Sequence, residues 1–137
     1  MPRTTVTTPT RDDLINMNRL TQDGTGEVFK DEDLDDIVSL NNAAFDYYID
    51  DINDTTSIGI VFAHLIGSGH IFTDGNKSTG TRAFKWILAH NDKELNPDLS
   101  EEALIEIIND LVEVDDPAEA VQAAIEKVAP YVREVDL

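Results

Sequence analysis

Residues 70–77 read His-Ile-Phe-Thr-Asp-Gly-Asn-Lys, and what stands on either side of them decides the fold. Upstream, residues 57–66 carry Ile58, Val61, Phe62, Leu65 and Ile66 at helical spacing, and Gly67 and Gly69 are expected to end that helix. Downstream, residues 79–90 place Ala83, Phe84, Ile87 and Leu88 at the same spacing, which predicts a second buried helix starting at about Asn76. The run between them is a tight joint that gathers a proton acceptor, a carboxylate, a glycine, an amide and a cation.

That mix suits a phosphate. A helix that starts near Asn76 leaves its first backbone N–H groups without intrahelical partners, and its macrodipole makes that end attractive to an anion. Gly75 lets the anion approach the backbone, and Lys77 adds a point charge. Asp74 is the one carboxylate of the run, placed to hold Mg2+ while phosphate oxygens and water complete the octahedron. His70 lies across the loop, where an imidazole can take a proton from an incoming hydroxyl. Phe72 reads as the apolar anchor of the loop. His64, six residues before His70, is at neither of the spacings that would pair the two on a helix face, and reads as a partly buried structural histidine.

The run resembles the signature of the Fic/Doc family, His-x-Phe-x-Asp/Glu-Gly/Ala-Asn followed by Gly or Lys and then Arg. His70, Phe72, Asp74, Gly75, Asn76 and Lys77 agree with it, and Ile71 with Lys77 points to the Doc (death-on-curing) branch, the toxin half of toxin-antitoxin pairs. The chain departs from the signature where the family's Arg is Ser78. The next guanidinium, Arg82, lies one helical turn later on the same face. The resemblance implies transfer of the γ-phosphoryl of ATP, with Mg2+, to a Ser or Thr hydroxyl of a translation elongation factor. His70 is then the base and Asp74 the metal ligand, with Gly75, Asn76, Lys77 and Arg82 at the nucleotide phosphates. Two alternatives stay open: AMP transfer by the same histidine, and a catalytically decayed binding module for which Ser78 speaks. No Glu is followed by Gly or Asn, as the family's built-in inhibitory helix requires, so the resemblance implies a separate antitoxin protein that covers the cleft.

Composition bounds the rest. A chain of 137 residues with no cysteine suits one domain, 1–137, with residues 1–8 expected to be a loose terminus. Neither a run long enough to span a membrane nor a signal-peptide pattern is present, from which a cytoplasmic protein with no membrane partner is expected. Acids outnumber bases 28 to 10, and Asp outnumbers Glu 18 to 10, a balance that resembles proteins of halophilic sources. Direct nucleic-acid binding is not expected, since phosphate contacts need a basic stripe. The acidity reverses at the joint, where from residue 70 to residue 85 three bases, Lys77, Arg82 and Lys85, stand against Asp74 alone.

The remaining segments predict an all-α, compact bundle of about six helices with the motif loop between two central ones. Thr10 and Asp13 stand as N-cap and N3 of a short helix through Leu20, with Leu14 and Met17 inward. Residues 21–30 (TQDGTGEVFK) read equally as a flap that aligns a target polypeptide, which the Fic/Doc resemblance suggests, or as a connector whose Val28 and Phe29 cap the core. Residues 31–52 read as one long amphipathic helix, and residues 53–56 as a loop that caps the next. Trp86 reads as core rather than as a base pocket, and His90 as a helix end. Ser100 caps a helix with Leu104, Ile108 and Leu111 inward, and residues 116–119 open a last one. No segment alternates as a strand should.

Overall fold

The computed structural model describes residues 6–39, 55–113 and 117–135. Among these residues six α-helices run in the order α1 (Arg11–Leu20), α2 (Asp31–Val38), α3 (Thr55–Ser68), α4 (Asn76–Ala89), α5 (Glu101–Glu113) and α6 (Pro117–Val128), with a ribbon of two three-residue strands, β1 (Lys93–Leu95) and β2 (Val132–Glu134). None of these helices is long and apolar enough to cross a membrane.

Helix α3 is the centre. Residues 55–64 are all buried, and Ile58, Ile60, Val61, Phe62, Ala63 and Ile66 are at most 1% exposed. A helix apolar all round must be covered all round. Helix α4 supplies the largest cover, and α5 and α6 pack on α3 as well. The closeness of α4 rests on small residues. A Cβ on Gly80 would lie 2.8 Å from the Ala63 carbonyl oxygen, and one on Gly59 would lie 2.7 Å from the Phe84 ring.

Helix α1 begins with the capping box that its sequence predicts. Asp13 N–H donates to Thr10 Oγ1 at 3.2 Å, and Thr10 N–H donates to Asp13 Oδ2 at 2.9 Å. Arg11 ties α1 to α2 through Asp31 and through Asp35 at 2.8 Å. At α5 the predicted Ser100 cap is present, its Oγ accepting from Ala103 N–H at 3.1 Å.

Four expectations are corrected. Thr55 and Thr56 are the first turn of α3 rather than a capping loop, and Gly67 lies inside that helix, because tertiary burial outweighs the local preference of these residues. Of the terminus expected to be loose over residues 1–8, residues 6–8 are described, and there Thr7 N–H donates to Asn91 Oδ1 at 2.8 Å while Asn91 Nδ2 donates to Thr7 O at 2.9 Å. The chain also forms a short antiparallel ribbon. Lys93 pairs with Glu134 and Leu95 with Val132, and the cross-strand ion pairs Lys93–Glu134 and Arg133–Glu94 flank it. Strands of three residues show no alternation to read, and their partner is distant in sequence. Finally, Phe29 is 68% exposed and does not cap the core. Of the long helix expected over residues 31–52, Asp31–Val38 is seen with Leu34 and Ile37 inward; residues 40–54 lie outside the described residues.

The α3–α4 approach yields a stability prediction. Alanine at a helix interior favours the helix by ~1 kcal/mol over glycine, yet at position 80 its methyl meets the Ala63 backbone. Gly80→Ala is expected to lower unfolding free energy in urea by about 1–3 kcal/mol, and an unchanged or raised midpoint would contradict the close approach.

Candidate functional site

The joint between α3 and α4 is built by buried and clasped residues that leave a few polar ones outside. Ile71 and Phe72 are 1% exposed and hold the loop to the core. Asn76 closes it: its Oδ1 accepts from Phe72 N–H at 2.8 Å and its Nδ2 donates to Phe72 O at 2.9 Å. One side chain thus holds both backbone polar groups of Phe72 at the point where α4 starts.

The turn into α4 needs glycine at position 75. Gly75 has φ +80°, and a Cβ there would lie 2.6 Å from Thr21 Oγ1. Thr79 Oγ1 donates to Gly75 O at 2.7 Å, as Thr79 N–H does at 2.9 Å. No side chain caps α4 from Gly75, so the N–H groups of Asn76, Lys77 and Ser78 are those a helix start leaves for an outside acceptor. His70 also has a left-handed backbone, φ +52°, at a cost of about 1–2 kcal/mol for an L residue. His70 and Asp74 are both exposed.

Residues 27–30 lie against the loop as a backbone partner. Thr73 N–H donates to Glu27 O at 3.1 Å, the N–H groups of Phe29 and Lys30 donate to Ile71 O at 2.8 and 3.0 Å, and Val28 forms a bridge with Phe72. A buried amide that the sequence reading passed over, Asn18, lies behind both. Asn18 Nδ2 donates to Asp74 O at 2.8 Å and Thr79 Oγ1 at 3.0 Å, and its Oδ1 accepts from Gly26 N–H at 2.8 Å. A polar residue one turn after Leu14 and next to Met17, on the buried stripe of α1, was the available signal.

The cations expected at the phosphates are placed on the flank of α4. Lys77, Ser78, Thr81, Arg82 and Lys85 line a cavity of about 280 Å³ with Thr21, Glu101 and Ile105, and neither His70 nor Asp74 lines it. Lys77 pairs with Glu113 at 3.1 Å, and Lys85 pairs with Glu101. Arg82 donates to the neutral Leu20 carbonyl at 3.1 Å, next to Thr21, whose hydroxyl stands against Gly75. The loop therefore gathers His70, Phe72, Asp74, Gly75 and Asn76, while Lys77 and Arg82 stand to one side. Among the described residues no three His, Asp or Glu side chains gather where they could hold a metal ion. Trp86 is half-buried and stacks on His90, ring centroids 3.7 Å apart.

Comparison with models of known families, with curated proteins and with solved structures finds no match for this chain.

His64 stands apart from the exposed loop. It is 8% exposed on α3, and burial lowers its pKa from the ordinary histidine value of about 6.5. With the folded pKa below the unfolded one, the unfolded chain binds more protons between the two, so stability present above about pH 6.5 is lost as pH falls toward the folded value. The difference in urea stability between the protein and His64→Gln is expected to shrink as pH falls from 7 to 5 on that basis, and a pH-independent difference would contradict it.

Proposed function

We propose that this chain is a phosphotransferase of the Fic/Doc type, closest to the Doc toxins, that moves the γ-phosphoryl of ATP to a Ser or Thr hydroxyl of a partner protein. The observation that supports this reading is a single one. The residues that carry the resemblance divide into those that fix the loop (Phe72, Asn76), the glycine its turn demands (Gly75), and those the loop leaves exposed at its mouth (His70, Asp74). Such a division is what chemistry on a bound phosphate requires.

The chemistry follows from these positions. Phosphate oxygens accept from the N–H groups at the start of α4, where the helix dipole also favours negative charge. The His70 imidazole takes the proton of the target hydroxyl as its oxygen forms a bond to the γ-phosphorus. The bond from that phosphorus to the β–γ bridging oxygen breaks, and ADP leaves with the electron pair. Phosphoryl transfer asks for alignment and charge neutralisation more than covalent help. Mg2+ commonly takes one or two carboxylates and completes its shell with nucleotide phosphates and water, a mode that one exposed Asp74 fits; bound there, the ion supplies charge neutralisation. Lys77 reaches the phosphates only by leaving Glu113, and an exposed pair of this kind holds it by no more than about 1 kcal/mol.

Residues 21–30 act in this reading as the flap, with residues 27–30, paired with residues 71–73 of the loop, offering the target a backbone edge. A translation elongation factor is the target, and a separate antitoxin covers the cleft, as the resemblance implies. The acidic surface fits a halophilic cytoplasm. One specific observation favours a second reading, a binding module without catalysis: Ser78 stands where the family has Arg, and Arg82 is bonded to Leu20 O.

Transfer of label from γ-labelled and α-labelled ATP to proteins of a halophile extract, at high KCl with Mg2+, separates the readings. Label from the γ position alone, reduced at least about 100-fold in His70→Ala, is expected. Label from the α position would make the protein an AMP transferase, and label from neither would leave the binding module.

A further inference from the structure

Asn18 is 0% exposed and lies fifty-six residues from Asp74 in sequence, yet it makes hydrogen bonds to three separate parts of the site. Its Nδ2 holds the Asp74 carbonyl and the Thr79 hydroxyl, and its Oδ1 holds the Gly26 amide. Thr79 passes the connection on, because its hydroxyl donates to Gly75 O. Asn18 itself is fixed at the last turn of α1, where Thr21 N–H and Thr21 Oγ1 both donate to its carbonyl, at 3.1 and 2.7 Å.

We propose that Asn18 is a positioning residue that locks residues 26–30 and the loop of residues 70–76 into one register, so that a target held along the first is presented to the histidine of the second. This rests on the phosphotransferase reading. The direct bonds between the two segments are backbone bonds from Phe29, Lys30 and Thr73, and all lie toward the Ile71–Phe72 side of the loop. At the other side, where Asp74 and Gly75 turn into α4, it is the Asn18 amide that bridges from Gly26 to Asp74. Without it the two segments are held together by those backbone bonds alone, and the turn into α4, at the far end of the loop from His70, loses its bridge to Gly26 and can shift relative to a polypeptide held along residues 26–30. Alanine at position 18 leaves the Gly26 amide, the Asp74 carbonyl and the Thr79 hydroxyl without that partner inside the protein. The carboxamide is suited to this task, since it offers donors to a carbonyl and a hydroxyl and an acceptor to an amide at once.

The test combines amide exchange with kinetics on the full chain. In Asn18→Ala, exchange at Phe29, Lys30 and Thr73 is expected to quicken at least about tenfold more than in the middle of α3 and α4. Label transfer is expected to fall about 10- to 100-fold in kcat, with the nucleotide KM within about threefold of the original. Should Asn18→Ala not fold, Thr79→Val removes the hydroxyl between Asn18 and Gly75 at nearly constant volume, and is expected to shift both readouts the same way. A folded variant with unchanged kcat, or with exchange at the three amides rising only in step with the core, would overturn the proposal. If the unaltered protein transfers no label, the phosphotransferase reading fails, and the coupling by Asn18 is decided by exchange alone.

Discussion

The approach of α4 to α3 is the constraint from which the rest follows. Gly59 and Gly80 let the two helices meet with the Phe84 ring and the Ala63 backbone in the space where side chains would otherwise stand. Two helices packed that closely, one ending at Ser68 and the other starting at Asn76, leave seven residues to reverse the chain. The reversal is possible because Gly75 adopts φ +80° and His70 accepts φ +52°. It is held because Ile71 and Phe72 go into the core and Asn76 clasps the Phe72 peptide. The loop is therefore set by packing first and by polar contacts second.

Electrostatics singles out the flank of α4 next to that loop. The chain carries a formal net charge of −18, and the described acids stand mostly on exposed helix faces, where hydration suffices. Lys77, Arg82 and Lys85 converge on one cavity at the flank of α4, with Glu113 and Glu101 as counter-charges to the two lysines. Arg82 has a carbonyl as its partner there. A cation balanced by a nearby carboxylate at the surface is held weakly, so an incoming anion competes on favourable terms, and high salt screens both arrangements.

Much of this was legible in the sequence where the signal is local. The starts of α1 and α5 were readable from Thr10 with Asp13 and from Ser100, since caps act within one turn. The start of α4 was readable from the glycine before Asn76 and the apolar spacing after it. What could not be read depends on partners far along the chain. Asn18 meets Asp74 and Thr79, Glu27 meets Thr73, and Lys93 meets Glu134, and none of these pairs leaves a periodic trace. The side-chain directions of Lys77 and Arg82 were equally hidden. Spacing places Lys77 in the first turn of α4 and Arg82 in the second, whereas Glu113 on α5 and the Leu20 carbonyl at the end of α1 decide where they point.

The most direct test of the account is where a nucleotide touches the protein. Backbone amide resonances followed by NMR during titration with ATP and Mg2+ at high KCl report this without any assumption about the reaction. The account predicts shifts centred on Gly75, Asn76, Lys77 and Ser78, with smaller ones at His70 and Asp74. Shifts confined to other parts of the protein, or none at millimolar nucleotide, would contradict the claim that the start of α4 is the phosphate site.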